Sequence, residues 1–302
     1  MARRVRMAEV GHWHRGGGRA DGGDPPEAGG TFLDTANCYG QWHGDAGESE
    51  RVIGRWLRSR GKRNQMVIAS KVGARTTVPG DPDSRHWQGL SAPVIKEDAE
   101  TSLRNLGVDR LDLYYAHIDD RDTPLDETVG ALAEVAESGK AGLLGSSNTA
   151  TWRIERARNL ALSAHRPAYS CVQQEGSYLM AKPDPGQVSL VTEELKDYAA
   201  AERLTLLAYS PLIAGGYARR DRPIRHTYAH PTNNARLAVL DEVAGELGVT
   251  VNQVVLAWML SATNPPVIPI PGASSVAQLD EILGATGLTL DESVLDRLEK
   301  TP

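Results

Sequence analysis

The stretch that decides the fold is Thr31-Phe32-Leu33-Asp34-Thr35-Ala36-Asn37-Cys38-Tyr39, in which a short apolar run gives way to polar residues. The pattern recurs in Ile68-Ala69-Ser70-Lys71 and in Leu113-Tyr114-Tyr115-Ala116-His117. Short apolar runs of this kind are typical of buried β-strands. Strand ends are where barrel enzymes carry their catalytic groups. Four polar residues lie at or just beyond these ends: Asp34, Tyr39, Lys71 and His117.

Helical patterns separate the runs, so that strand and helix alternate as in βα units around a parallel sheet. Seven strands are predicted, at 31–36, 66–72, 111–118, 142–148, 170–175, 204–210 and 267–271. Helices are predicted between them, at 48–60, 92–106, 125–138, 151–162, 190–201 and 235–247, with two closing helices at 276–283 and 291–299. This repetition favours an α/β fold of the (β/α)8 TIM barrel type over an open sheet, which periodicity alone does not exclude.

Residues 1–30 break the alternation. Thirteen of them are Arg or Gly, and Gly16-Gly17-Gly18 and Asp24-Pro25-Pro26 oppose a helix. Two interpretations are open: a leader without regular structure, or a segment that has replaced the first strand and helix of a barrel. We therefore predict an atypical N-terminal segment, 1–30, followed by a barrel domain, 31–302.

The composition restricts the class of protein. With 302 residues, 40% of them hydrophobic and 24% charged, the chain is expected to be soluble and globular with a large core. A net charge of -6 argues against nucleic-acid binding. Two cysteines, Cys38 and Cys171, are too few for a disulfide framework. No apolar run reaches the roughly 20 residues of a membrane span, and no signal-peptide core follows the N-terminus, so a cytoplasmic protein is predicted.

Further motifs follow in the order of the chain: Gly145-Ser146-Ser147-Asn148, Gln173 with Glu175, Ala208-Tyr209-Ser210-Pro211-Leu212, and Ile268-Pro269-Ile270-Pro271-Gly272-Ala273-Ser274. With the four polar residues, these motifs resemble the aldo-keto reductase superfamily, in its bacterial and potassium-channel β-subunit-like branch. The resemblance extends from Gly29 to the C-terminus. It implies a (β/α)8 barrel that binds a nicotinamide cofactor without a Rossmann fingerprint and reduces aldehydes or ketones to alcohols.

The resemblance implies a role for each catalytic candidate. Tyr39 is expected to protonate the substrate oxygen. A phenol has an ordinary pKa of about 10, and the charge of Lys71 is expected to make its proton available near neutral pH. Asp34 is expected to pair with Lys71 and offset the cost of burying its ammonium. His117 is expected to donate to the carbonyl oxygen. Taken singly, each residue also suits an ordinary structural role, such as a helix cap or a core side chain.

The resemblance also implies a cofactor site. Ser147, Asn148 and Gln173 are expected to bind the nicotinamide carboxamide, and Tyr209 to stack on its ring. The loop Ser210-Pro211-Leu212 is expected to meet the pyrophosphate. At the adenine end, the expected contacts are Gly272, Ser274, Gln278 and Glu281. Relatives often place a basic residue where this chain has Ala273-Ser274-Ser275, and Ser274 can hydrogen-bond a 2'-phosphate but adds no charge. NADP (NADPH) is still favoured on the resemblance alone, and NAD stays open.

Substrate contacts are expected from three loops: 73–90, 118–123 and 215–234. Apolar walls are expected from Trp42, Trp87 and Tyr115. The leading interpretation is an NADPH-dependent reductase of a small-molecule carbonyl compound, and one alternative is a cofactor-binding regulatory module with slow turnover. A metal-dependent sugar isomerase is disfavoured because clustered His and carboxylate residues are scarce, and no metal site is predicted.

Overall fold

The structure is a computed structural model that describes residues 7–9, 30–43, 45–78, 81, 84–182, 189–219, 221 and 224–301. Eight parallel strands form one sheet in the order of the chain. They are β1 (Met7–Glu9), β2 (Phe32–Asp34), β3 (Val67–Val72), β4 (Leu111–Ala116), β5 (Ala141–Ser147), β6 (Tyr169–Glu175), β7 (Thr205–Tyr209) and β8 (Val267–Ile270). Because β1 also lies beside β8, the sheet curves round into the predicted (β/α)8 barrel.

The helices between and after the strands are α1 (Glu48–Arg60), α2 (Ala92–Leu106), α3 (Leu125–Glu137), α4 (Thr151–Ser163), α5 (Glu193–Ala201), α6 (Asn233–Leu247), α7 (Val251–Ser261), α8 (Val276–Gly284) and α9 (Glu292–Lys300). Their ends follow local chemistry: α2 ends at Gly107, whose φ of 67° is a left-handed conformation that glycine adopts readily. Among the described helices, none alone is long and apolar enough to cross a membrane. One bent pair of described helices, α6 and α7, meets that test together, across a 98° bend.

The first strand resolves a question that the sequence leaves open. Met7–Glu9 pairs in parallel with Phe32–Asp34, with Glu9 opposite Asp34. A strand therefore lies where a first barrel strand is required, within the atypical N-terminal segment predicted for residues 1–30. The chain between β1 and β2 lies largely outside the described residues, so the division at residue 30 stays a prediction.

The seven other strands confirm the sequence prediction, with ends that differ by at most two residues. Two helix predictions were wrong. The sequence predicts a helix over 190–201, but Leu190 bridges to Glu175, and the Thr192 side chain accepts a hydrogen bond from Leu195 N as the helix cap. Helix α7 was missed, although Thr250 and Gln253 form a capping box at its start.

The alternation of side chains along each strand explains where the polar residues point. One apolar cluster is built from Phe32, Ala69, Leu113, Tyr115, Cys171, Leu207 and Ile270, which lie on the same face of their strands. Two residues further along that face come Asp34, Lys71, His117, Gln173 and Tyr209. The barrel interior is therefore apolar below and polar at the carboxyl ends of its strands.

Candidate active site

The Lys71 side chain is the centre of the polar cluster. It is 0% exposed and forms an ion pair with Asp34, which is 1% exposed. Its Nζ also donates to the carbonyl oxygen of Thr35 at 3.0 Å and to Oη of Tyr39 at 3.2 Å. All three donors of the ammonium are therefore directed at oxygen atoms, which is what a buried charge requires.

The second oxygen of the Asp34 carboxylate accepts a hydrogen bond from Nε2 of Gln173 at 3.0 Å. Gln173 is predicted to bind the nicotinamide carboxamide, and in the structure its amide N–H also fixes the carboxylate that holds Lys71. No local sequence pattern predicts this contact, because 139 residues separate the two side chains. Strands β2, β3 and β6 are thereby connected through one buried polar network.

Tyr39 lies in the turn that follows β2. Lys71 Nζ lies 4.9 Å from its ring centroid, and the ring meets that of His117 edge-on at 5.9 Å. The next residue, Gly40, has a φ of 105°, and a Cβ atom there would lie 2.4 Å from the carbonyl oxygen of Asp45. A glycine is therefore needed after Tyr39 for the chain to turn back towards α1.

His117 follows β4 and is half-buried. Burial, reinforced by the positive charge of Lys71, holds the pKa of the imidazole well below its ordinary value of 6.5, so the ring is neutral at neutral pH. Its Nδ1 lies 3.7 Å from Sγ of Cys38. Its backbone N–H donates to Val72 at 2.9 Å, and its carbonyl oxygen accepts from Nδ2 of Asn148 at 2.9 Å.

The predicted nicotinamide residues lie next to these four side chains. Asn148 adopts a left-handed conformation, with φ at 53°, just after β5. Its Nδ2 also donates to Oγ of Ser147 at 3.1 Å, and its Oδ1 accepts from Oη of Tyr209 at 2.8 Å. The structure therefore brings Ser147, Asn148 and Tyr209 together with His117, at the carboxyl ends of β5, β7 and β4.

The loop after β7 meets the segment after β8. Ser210 has a φ of 53°, and the carbonyl oxygen of Pro211 accepts from Oγ of Ser177 at 2.6 Å. Leu212 packs with Ala273 against an apolar cluster of Leu256, Ile282 and Ala285. The predicted pyrophosphate loop and the predicted adenine segment are therefore neighbours.

The adenine end is exposed and its polar groups bind one another. Gly272, Ser274 and Gln278 are exposed, and Oε1 of Gln278 accepts from both N and Oγ of Ser274, at 2.7 and 2.9 Å. Glu281 is half-buried, and its Oε1 accepts from Oγ1 of Thr250 at 2.6 Å and from Nδ2 of Asn252 at 3.1 Å. Glu281 therefore braces α8 against α7, and its predicted adenosine contact stays a prediction.

The three predicted aromatic walls differ in position. Trp42 is 51% exposed beside Tyr39, with ring centroids 6.5 Å apart. Trp87 packs with Ile118 and Tyr39 on a small cluster that contains Cys38. Tyr115 was wrongly placed: it is fully buried in the barrel interior, since its strand position alternates with those that face the helices. Among the described residues, no group of three His, Cys, Asp or Glu is placed to hold a metal ion.

Comparison with known proteins identifies the family of the chain. A sequence model of the aldo/keto reductase family matches residues 25–301. The aldo-keto reductase str7 of Strobilurus tenacellus is 35% identical over 267 residues, 83% of this chain and 71% of the relative. The uncharacterized oxidoreductase YrpG of Bacillus subtilis is 33% identical, over 88% of this chain and 81% of the relative.

A third relative carries a cofactor in its name. The aldo-keto reductase yakc [NADP(+)] of Schizosaccharomyces pombe is 28% identical, over 82% of this chain and 72% of the relative. The family match covers most of the chain, and the two more similar relatives exceed 30% identity over most of their own length. The chain therefore belongs to the aldo/keto reductase family, whose members are NAD(P)H-dependent oxidoreductases of small-molecule carbonyl compounds.

Proposed function

We propose that the chain is an NADPH-dependent reductase that converts an aldehyde or ketone to an alcohol, with Tyr39 as general acid. The observation that carries the proposal is the buried Lys71 ammonium, which pairs with Asp34 and lies 3.2 Å from Oη of Tyr39. Reduction of a carbonyl group places negative charge on its oxygen, so a proton donor is needed there. A phenol beside a fixed cation is suited to that task.

Each member of the network has a separate task. Lys71 stabilises the tyrosinate that remains after Tyr39 has donated its proton. Asp34 offsets the burial of the ammonium, and Gln173 fixes the orientation of that carboxylate. His117 is neutral at neutral pH, so it donates a hydrogen bond to the substrate oxygen without competing as an acid.

The donor set fits a nicotinamide cofactor, which supplies the hydride when it is bound. Ser147, Asn148 and Gln173 present hydroxyl and amide groups beside the catalytic network, and a carboxamide needs such donors and acceptors. Tyr209 offers an aromatic face at the same place. NADP is proposed over NAD because of the name of the yeast relative and because the exposed Ser274 hydroxyl can donate to a 2'-phosphate.

The test mixes the purified full-length chain with NADPH and a panel of aliphatic and aromatic aldehydes. Consumption of NADPH is measured from the loss of its absorbance. Tyr39→Phe removes the acid, and we expect kcat to fall by about 10²–10⁴-fold. Tyr198→Phe is the matched control, because that hydroxyl donates to Glu155 on the outside of the barrel, and its rate should equal that of the wild type. Equal rates for wild type and Tyr39→Phe would refute Tyr39 as the acid.

A second measurement separates the alternative function. Tight NADPH binding by the wild type, without turnover of any aldehyde or ketone, would indicate a cofactor-binding regulatory module instead of a reductase. Failure to bind either NADPH or NADH would contradict both. We also propose a cytoplasmic location, which suits the two buried cysteines, neither of which forms a disulfide.

A further inference from the structure

Cys38 lies directly before Tyr39 and contacts His117, whose ring meets that of Tyr39. Its side chain is 1% exposed and packs with Ala36 and Ala74. Its Sγ lies 3.7 Å from Nδ1 of His117, within reach of a hydrogen bond to sulfur. The two nitrogens of an imidazole point in different directions, so this contact uses Nδ1 and leaves Nε2 for another partner.

Both groups of this pair are uncharged at neutral pH. Burial raises the pKa of the Cys38 thiol to about 12, against an opposing effect of Lys71. Burial and Lys71 together lower the pKa of His117. One proton belongs to the sulfur and one to the ring, so two arrangements exist: S–H donates to Nδ1 while Nε2 carries the ring proton, or Nδ1–H donates to sulfur.

The first arrangement makes the better hydrogen bond. An unprotonated ring nitrogen is a full acceptor, whereas a thiol sulfur is a weak one. In the second arrangement, Nε2 would also face the substrate as an acceptor, and a carbonyl oxygen has no proton to donate to it. The hydrogen bond made by one ring nitrogen sets the protonation of the other.

We infer that Cys38 is a positioning residue: its thiol donates to Nδ1 of His117 and holds the imidazole in the Nε2–H form that donates to the substrate oxygen. Only the last part of this inference rests on the proposed function, because the tautomer of His117 is a property of the protein without substrate. The backbone of His117 is fixed separately, by the hydrogen bond from Nδ2 of Asn148 to its carbonyl oxygen.

The tautomer is measured by ¹⁵N NMR of the histidine side chains, with the His117 signals assigned from their loss in His117→Gln. In the wild type we expect Nε2 to be protonated and Nδ1 to accept a hydrogen bond. Cys38→Val replaces the thiol with a slightly larger apolar side chain and removes the donor, so the ring should populate both tautomers. Cys38→Ser restores a donor and should restore the Nε2–H form. Cys171→Ala removes the other buried thiol and should leave the His117 spectrum unchanged.

Kinetics on the same proteins give the second result. We expect kcat of Cys38→Val to fall about fivefold, the size of one modest hydrogen bond, with the KM for NADPH unchanged. Cys38→Ser should lie within about twofold of the wild type. An Nδ1–H tautomer in the wild type, or a Cys38→Val protein with unaltered tautomer and kcat, would overturn the inference. If no protein in the series reduces any carbonyl compound, the proposed function fails, and the spectra still decide the role of Cys38.

Discussion

The two ends of the candidate cofactor site are built differently. The tetrad end is formed by Asp34, Tyr39, Lys71 and His117, which lie at or after strand ends. Asp34 and Lys71 are buried, and their hydrogen-bond partners come from other parts of the barrel. At the adenine end, residues 272–281, the polar side chains lie on one loop and one helix, and Ser274 and Gln278 bind each other in the open. One end is fixed by strands from across the barrel. At the other end, Ser274 and Gln278 contact each other, and Glu281 contacts the start of the neighbouring helix α7.

This difference follows from the function proposed for each end. Proton transfer needs groups held in one geometry, and buried charges are stable only when every partner is in place. Cofactor affinity needs only enough favourable contacts, which an exposed loop can gain or lose without disturbing the core. We therefore expect substitutions at the tetrad end to change stability and catalysis together, and substitutions at the adenine end to change only cofactor binding.

The largest effect is expected from Lys71→Met. It leaves the Asp34 carboxylate buried without its cation, so the free energy of unfolding should fall by about 3–5 kcal/mol. Because Tyr39 also loses the cation beside it, kcat/KM should fall by about 10³-fold or more. Urea denaturation and NADPH consumption measure the two losses. Lys62→Met is the control, since Lys62 bonds to Gln65 at the surface, and its stability should change by less than about 0.5 kcal/mol.

A double substitution separates stability from chemistry at the tetrad end. In Asp34→Leu/Lys71→Met, neither member of the ion pair is left buried without its partner, so much of the lost stability should return while activity does not. If the double variant were as unstable as Lys71→Met, the tetrad end would owe its stability to something other than this ion pair.

The same contrast explains how far the sequence predicts the structure. The local sequence pattern is enough to predict where three tetrad side chains point. Apolar runs precede Asp34, Lys71 and His117, and the alternation of side chains along each strand places all three on the inner face of the barrel. The bond from Gln173 to Asp34 and the contact of Cys38 with His117 depend on closure of the barrel, which brings distant strands together, and no local pattern contains them. The sequence shows which residue types are present, but it does not show which of them form contacts.

The sequence does not predict helix α7 and leaves strand β1 open, for opposite reasons. Helix α7 is so thoroughly apolar, from Val254 to Leu260, that no amphipathic period marks it, because it is buried on most sides. Strand β1 has only three residues and stands among arginines and glycines, so its pairing with β2 outweighs its weak local preference. The secondary structure of such segments depends on tertiary contacts, which cannot be predicted from a single sequence by local patterns.

At the adenine end, Ser274→Arg should strengthen NADPH binding about tenfold and leave NADH binding unchanged. A guanidinium can pair with the 2'-phosphate that only NADPH carries, and the exposure of Ser274 leaves room for the longer side chain. Fluorescence titration at low and high salt measures both affinities, and the gain should shrink at high salt. Ser274→Gln is the uncharged control. An equal gain for both cofactors, or a loss of folding stability, would break the distinction between the two ends.

The smallest effect is a pH dependence confined to the tetrad end. In the unfolded chain, His117 takes up a proton as the pH falls through 6.5, whereas in the fold, burial and Lys71 keep its pKa lower and the ring neutral. Folding is therefore favoured above pH 6.5, and this contribution is lost as the pH falls below it. Between pH 7.5 and 5.5 the wild type should lose about 1 kcal/mol more of its unfolding free energy than His117→Gln.

Urea denaturation of both proteins at the two pH values measures this difference, and taking the difference cancels every other titrating group. His165→Asn, at an exposed position after α4, is the control and should keep the pH dependence of the wild type. Parallel pH dependences for wild type and His117→Gln would mean that His117 is as readily protonated in the fold as outside it. A charged imidazole could then share its proton with the substrate oxygen, and Tyr39 would no longer be the sole acid at the tetrad end.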